Sequence, residues 1–426
     1  MDLVTLAKQL GRPFVFAPGF DPATRALTVR LVQILFPGVA LLVMSAWCLG
    51  VLNSHRRFFL PYVAPVLWNA TLITATIFAG RRLAGHDDDI AVWLAWGAVI
   101  GSAAQFLVQL PSVIRLLRSA RPSLAIQDEG VRGILRSFVP VVIGRGSVQI
   151  SGYIDQILAS YLGSGILAAM ANAQTLYMLP VSLFGMAVSA AELPEMASET
   201  GGADARAAHL QTRLKASLRR VVFLVVPSAI AFIVIGGSIV ALLFETGRFG
   251  ARDTAIVWII LAGSALGLVP STQGRLLSSA FYALGEPKPP LHAALIRVAL
   301  NAGLGFAFTL PIRDALGYSV AWGAFALTAS SSLAAWIEYA LLRVWLARRI
   351  GTIPIPTKLM AGAALAGVAA GAAGYGAAWL ALDLGARGWQ AALVAIPVFG
   401  AIYLGAMAAA RVPEASGMVR RVLRRR

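Results

Sequence analysis

The sequence predicts an all-α, polytopic helical membrane protein of about eleven transmembrane helices. Three observations carry that prediction. Hydrophobic residues fill 58% of the 426 positions against 13% charged, and the mean hydropathy is +0.75. The apolar residues fall into blocks long enough to cross a hydrocarbon core of roughly 30 Å as helices, which satisfy their own backbone groups there. Of the 36 Lys and Arg, only Arg145, Arg275 and Arg297 lie inside those blocks. A closed barrel would read as alternating strands of about ten residues, and these runs are continuous instead.

The blocks run at about 31–51, 62–80, 90–110, 137–162, 165–192, 221–244, 253–283, 290–311, 317–342, 359–383 and 388–410. Breakers separate them: Asn53-Ser54 and Pro61 around the first loop, His86 to Asp89 at the second, and the stiff run Gly285 to Pro290. The longest connections are 111–136 and 193–220. The second carries Arg206, Arg213 and Lys215 among alanines and reads as an amphipathic surface helix. The blocks group into a partial N-terminal lobe of three spans at 1–110, a cytoplasmic linker at 111–136, a C-terminal lobe of six spans at 137–342, a helix pair at 359–410 and a basic tail at 411–426.

Basic residues then give a sidedness. Segments 52–61, 111–136, 193–220, 284–290, 343–358 and the C-terminus hold 23 Lys and Arg, and the remaining segments hold 10. The positive-inside rule therefore puts the C-terminus in the cytoplasm and, with an odd number of spans, the N-terminus outside. The external N-terminal segment carries Lys8, Arg12, Arg25 and Arg30 with no export signal, so the expectation is a natural chain that starts upstream of Met1 with further spans. The net charge of +17 lies in loops and in the tail Arg420, Arg421, Arg424, Arg425 and Arg426, beside anionic lipid, and is not a nucleic-acid signature. Cys48 is the only cysteine, so no intrachain disulfide is possible. The four histidines are scattered without ligand spacing, no cofactor or metal motif appears, and no cluster of acid, base and nucleophile marks an enzyme.

Polar groups inside the blocks are the candidate functional residues, because a charge at bilayer depth costs several kcal/mol unless it meets a partner or water. In 137–162, Arg145, Gln149, Gly152, Gln156 and Ser160 share one helical stripe, and Ser147, Ser151 and Asp155 share another on roughly the opposite side. The reading taken is an enclosed helix bordering a water-filled cavity; the alternative is helix–helix adhesion with Arg145 paired to a neighbour. Arg275 stands with Ser271, Ser278 and Tyr282 on its face. Arg297 is close enough to the end of its span to snorkel. All three guanidinium groups lean toward the cytoplasmic half, a layout suited to bidentate capture of an anionic head group. Asp155 and Glu338 are candidates for counter-charges or for proton or cation coupling, with simple ion pairing as the alternative. The small residues Gly362, Gly367, Gly371, Gly374 and Gly376 predict close helix packing, and Pro180, Pro227, Pro270 and Pro311 predict kinks.

Several short motifs resemble those of one family. These are QISGYIDQILASYLG at 149–163, LPVSLFG at 179–185, Ala17-Pro18-Gly19-Phe20, VLNSHRRF at 51–58, LFETGRF at 243–249 and AFYALG at 280–285. In order and spacing they resemble the MviN/MurJ lipid II flippases of the MOP exporter superfamily, from about Ala17 to the end. The resemblance implies a MOP-type transporter bundle of fourteen spans, of which this chain lacks the first three and so has an incomplete N-terminal half. It implies movement of the undecaprenyl-pyrophosphate-linked peptidoglycan precursor across the bacterial cytoplasmic (inner) membrane by alternating access, with membrane lipids as the other partners. It also makes Gln174 and Thr175 candidate cavity residues, where the family tends to carry an Asp-Arg pair, and it matches Arg275 to a Lys/Arg position. Arg145 and Arg297 match no such position. The alternatives are a truncated or degenerate flippase, a polysaccharide-unit or drug/cation exporter of the same superfamily, or a non-transporting membrane scaffold.

Overall fold

The computed structural model describes residues 18–57, 59–117, 149, 151–186, 202–309 and 319–415, with the single positions 188, 189, 192, 196, 312, 315 and 317. Every described element is helical. The chain divides into two compact units, Met1–Phe138 and Val139–Arg426. Nine helices are long and apolar enough to cross a membrane among the described residues, ten if one bent pair is counted as a span. Half of the expected block at 137–162 falls outside the described residues, and 151–160 is helical.

The first unit holds α1 (Pro22–Ser54), α2 (Phe59–Arg82) and α3 (Asp87–Leu116). Asp21 caps α1 by accepting from the Ala23 and Thr24 amides, both at 3.1 Å, and its hydrogen bonds to Thr24 hold the carboxyl below its usual range. Arg25 gathers the preceding turn, donating to the carbonyls of Pro18 (2.7 Å) and Phe20 (3.0 Å). Helix α3 packs along both α1 and α2, which barely touch each other.

Each face of α3 is specialised for its neighbour. Toward α2 it offers Gly97 and Gly101, one turn apart: a methyl at Gly97 would stand 2.6 Å from Ala75 Cβ, and one at Gly101 would stand 3.2 Å from the Trp68 carbonyl. Without a hydrophobic drive between helices in lipid, such close approach is what holds them together. Toward α1, Gln105 and Gln109 both donate to Ser45 Oγ, at 3.1 and 2.6 Å. Between 11% and 22% of the apolar windows of α1–α3 is buried, against 61% in the most enclosed span of the second unit.

The second unit contains α4 (Ser164–Pro180), a π-helical turn Val181–Met186, α5 (Ala203–Val234), α6 (Gly236–Phe244), α7 (Ala251–Ala265), α8 (Leu268–Ala283), α9 (Lys288–Thr309), α10 (Val320–Ile350), α11 (Thr357–Asp383) and α12 (Gly388–Ala409). Helix α10 is the hub, against which α7, α8 and α9 pack; α5 backs onto α8 and α11, and α11 pairs with α12. Leu261, Leu268 and Leu327 lie in one core cluster, and Phe223, Ala363 and Ala370 in another. The glycine-rich face of α11 meets its neighbours as expected at Gly367 (Ile230), Gly371 (Val234) and Gly374 (Ala395 carbonyl), whereas Gly362 and Gly376 face open space.

Several span boundaries differ from the sequence expectation: helices run past the expected ends, as α10 does to Ile350, the block at 221–244 is interrupted at Ile235, and two further differences change the reading of a segment. The connection at 193–220 is not a separate surface helix, because from Ala203 it runs without a break into the span as α5, which ends at Val234. The polar half of α5 and its apolar half suit different solvents but share one backbone. The block at 253–283 is not one straight span either, since it breaks at Leu266–Gly267 into α7 and α8, bent by 43°. The prolines act differently from simple kinks. Pro180 leads into the π turn, Pro227 lies inside a continuous helix, and Pro270 sits in the first turn of α8, where its missing N–H costs nothing. Pro311 lies outside the described residues.

Every break exposes carbonyls that lipid cannot satisfy, and neighbouring helices supply the donors. At the α7–α8 break, Thr328 donates to Ile260 (3.2 Å), Ser332 to Gly263 (2.8 Å) and Trp336 Nε1 to Leu266 (3.0 Å), all from one stripe of α10. At the end of α5, Trp258 Nε1 donates to Phe232 (3.2 Å) and Ile233 (3.1 Å). Pro227 frees the carbonyl four residues back, on Phe223, and the Tyr403 hydroxyl takes it at 2.6 Å.

Contacts also sort the ends of this unit. Arg219–Glu414 (3.0 Å), Arg220–Glu192 (3.7 Å), Arg349–Glu286 (3.1 Å) and the bond from Gln211 to the Ile350 carbonyl join the 193–220, 284–290, 343–358 and C-terminal segments at one end. At the other end, Thr254 donates to Glu245 (3.0 Å), whose carboxylate rests against Gly388 at the start of α12, where the helix dipole favours an anion.

Two outcomes follow for stability in detergent, read as thermal or denaturant unfolding. Tyr403→Phe orphans a buried carbonyl and lowers stability by about 1 kcal/mol. In a Pro227→Ala background, where residue 227 recovers its N–H, the same change costs clearly less, and an equal cost in both backgrounds contradicts the assignment. Gly97→Val forces α2 from α3 and costs about 2 kcal/mol, while Gly80→Ala, into open space, is neutral or stabilising.

Candidate functional site

In the second unit a polar cluster crosses three helical segments. Arg297 and Asn301 lie one turn apart on α9 and so point from the same face. Arg297 Nη1 donates to Glu338 Oε2 of α10 at 2.9 Å. Asn301 Nδ2 donates to Asp155 Oδ1 at 2.8 Å and to Ser151 Oγ at 3.2 Å, both on the helical segment 151–160. The Asn301 side chain is fully buried, and its Oδ1 accepts no hydrogen bond among the described residues. Arg297 also acts electrostatically on Asp155, and Glu338 acts on the Tyr282 hydroxyl of α8.

One guanidinium thus stands among two carboxylates. With both acids ionised the cluster carries one uncompensated negative charge inside the apolar span, which favours uptake of a proton or a monovalent cation. Arg297 meets a carboxylate laterally, on Glu338 of the neighbouring helix. The contact with Arg297 pairs Glu338 with a cation and leaves Asp155 held by Asn301.

Arg275 is in a different situation. It lies near the middle of α8, eight residues before Ala283 and so about 12 Å from that end. Its side chain is exposed and has no hydrogen bond or ion pair among the described residues. Tyr282, two turns along the same face, is 52% exposed, while Ser271 and Ser278 are half-buried. An unpaired cation inside a span needs water or an anion beside it.

The two stripes of the 151–160 segment have different fates. Ser151 and Asp155 are bonded to α9 and act as adhesion between helices. Gln149, Gly152 and Gln156 are exposed. Ser160, read with them, is instead fully buried and donates to the Ile157 carbonyl at 2.7 Å. Arg145 and Ser147 lie outside the described residues. On α4, Gln174 and Thr175 are exposed, and Thr175 returns its hydroxyl to the Ala171 carbonyl at 3.0 Å. No hydrogen bond or ion pair joins Gln174, Thr175 or Arg275 to the Arg297 cluster among the described residues.

Asn301 is the residue that sequence reasoning passed over. The signal was a lone asparagine in an apolar block, one helical turn beyond an arginine. Its partners lie 146 and 150 positions away and no local pattern points to them.

With fold and cluster in hand, the chain can be set beside known proteins. The family profile described as lipid II flippase MurJ matches residues 2–396. A probable lipid II flippase MurJ of Rhizobium meliloti (strain 1021) is 33% identical over 402 residues, covering 90% of this chain and 70% of that relative. The corresponding protein of Rhizobium tropici is 32% identical over 359 residues, 82% of this chain and 64% of its own length. The chain therefore spans about two thirds of these curated relatives. Among solved structures, a lipid II flippase MurJ in an inward closed conformation superimposes with a TM-score of 0.72 at 22% identity, covering 99% of this chain and 81% of that one. The helical order, the shared fold and a match over nearly the whole sequence lead to one assignment: this multi-pass membrane protein belongs to the lipid II flippase MurJ family.

Proposed function

We propose that this chain carries the undecaprenyl-pyrophosphate-linked peptidoglycan precursor across the bacterial cytoplasmic membrane by alternating access. The observation that supports it most, beside family membership, is Arg275: an exposed guanidinium without a counter-ion in the middle of an apolar helix. A pyrophosphate is the anion that such a group recognises bidentately. Arg145 joins it in this reading as a second phosphate contact. Gln149, Gln156, Gln174 and Thr175 offer hydrogen bonds to the sugar or peptide portion of the precursor. Arg297 is a positioning residue in the polar cluster, and Asp155 with Glu338 forms the coupling element, which takes up one proton or cation per cycle.

The lobe, linker, helix pair and basic tail read from the sequence complete this proposal, with the C-terminus cytoplasmic. On that sidedness Arg275 lies in the cytoplasmic half of the bilayer, where the precursor is loaded.

The test of the proposal is rescue of a flippase-depleted bacterium by the full chain, with movement of labelled precursor followed in vesicles. The chain rescues; Arg275→Glu reduces rescue at least tenfold, and Arg275→Lys keeps part of it. Undiminished rescue by Arg275→Glu refutes the role of that side chain. A folded chain that moves no precursor speaks for the scaffold or exporter readings.

The coupling element has its own expectation. Asp155→Asn removes the excess negative charge while leaving the Arg297–Glu338 pair, so transport persists but loses its dependence on an imposed proton or cation gradient. Arg297→Met leaves two carboxylates without a cation and lowers stability by roughly 2 kcal/mol, because the pair is only partly buried. The double change Arg297→Met with Glu338→Leu recovers most of that loss, and an additive loss argues against the pairing.

A further inference from the structure

The first unit carries a groove to which nothing above gives a role. It runs between α2 and α3 beside the Gly97–Ala75 contact as an open slot of about 450 Å³, walled by Leu67, Phe78, Trp93, Trp96 and Ile100. That volume is within the range of small-molecule sites, roughly 300–1,000 Å³. The threonines along it spend their protons on their own helix: Thr71 and Thr74 donate to the Leu67 and Ala70 carbonyls, each at 2.8 Å. The groove is therefore apolar along its length.

Its end is not apolar. A second hollow of about 390 Å³ continues from Thr74 and Phe78 to Arg81 and Arg82, the last residues of α2. The Arg82 guanidinium lies 5.8 Å from the Phe78 ring centroid, and that ring packs 5.6 Å from Trp93. Neither arginine has an ion pair among the described residues. The nearby acids Asp87, Asp88 and Asp89 occupy the first turn of α3, where the helix dipole favours them. Tryptophan and arginine at the end of a span mark the head-group level of a bilayer.

An apolar slot that opens at the head-group level onto two unpaired guanidinium groups is complementary to one kind of molecule, a lipid with an anionic head. We infer that the α2–α3 groove is a binding site for an anionic glycerophospholipid, its acyl chain along Trp96 and Ile100 and its phosphate on Arg81 and Arg82. The assignment does not depend on which lipid the chain transports. A fixed lipid here fills the exposed seam of the least enclosed part of the protein.

The test uses the purified full chain in detergent, titrated with phosphatidylglycerol or phosphatidylethanolamine and read by native mass spectrometry. Phosphatidylglycerol binds at least tenfold more tightly than phosphatidylethanolamine. The double variant Arg81→Gln, Arg82→Gln weakens it by roughly tenfold or more, as two lost cations near an anionic head require. Thr74→Trp, which fills the groove and leaves both arginines in place, weakens it comparably; should that variant fail to fold, Ile100→Trp obstructs the same space from α3. The control Arg56→Gln, Arg57→Gln, at the other end of the unit, leaves binding unchanged. Equal binding of the two lipids, insensitivity to the Arg81 and Arg82 changes, or an equal loss in the control overturns the site. Undecaprenyl phosphate displacing phosphatidylglycerol from the groove at lower concentration overturns it too, by assigning the groove to a polyprenyl tail.

Discussion

The structure depends on a single constraint: in hydrocarbon, every backbone carbonyl set free by a break or a proline must find a donor inside the protein. The second unit interrupts its helices at Ile235 and at Leu266–Gly267 and places Pro227 inside a span, and at each place a side chain from another helix answers. Tyr403, Trp258, Thr328 and Ser332 are buried or half-buried for this reason as much as for packing, and Trp336 answers the same need from an exposed position. The glycines follow from the same need. Gly263 and Gly267 bring the broken ends of α7 and α8 hard against Thr328 and Ser332, close enough for hydroxyls to reach the main chain. The absence of a side chain at these two positions is what lets bent helices stand at bilayer depth.

The same constraint organises the polar residues. Asn301 ties the 151–160 segment to α9, and Arg297 ties α9 to α10, so that the charges are spent largely on each other. Arg275 is the exception among the intramembrane cations described, and its isolation gives it functional interest. Both units use small residues for adhesion, Gly97 and Gly101 in the first and Gly367, Gly371 and Gly374 in the second, because lipid tails offer no hydrophobic incentive for helices to associate.

How much of this was legible in the sequence differs by feature. The spans were, because length and apolarity report directly on crossing a bilayer. The adhesive role of Gly367 and Gly371 was also legible, since spacing on one helix puts them on one face. The break at Leu266–Gly267 was not: Leu-Gly-Leu reads as uninterrupted apolar sequence, and the donors that make a break tolerable sit about seventy positions later on α10. The continuity of α5 was hidden because hydropathy changes along it while the backbone does not. The polarity of the 151–160 segment was visible, but which stripe is glued and which is open depends on Asn301 and could only be read in three dimensions.

Several of the donors that close these breaks have two acceptors within reach. Trp258 Nε1 lies between the carbonyls of Phe232 and Ile233, and Ser332 Oγ lies between those of Gly263 and Ser264. When one segment swings against the other, the distance to one acceptor grows as that to its neighbour shrinks. The joints can therefore turn through small angles with their electrostatic cost nearly level, in the way a bearing turns without leaving its seat.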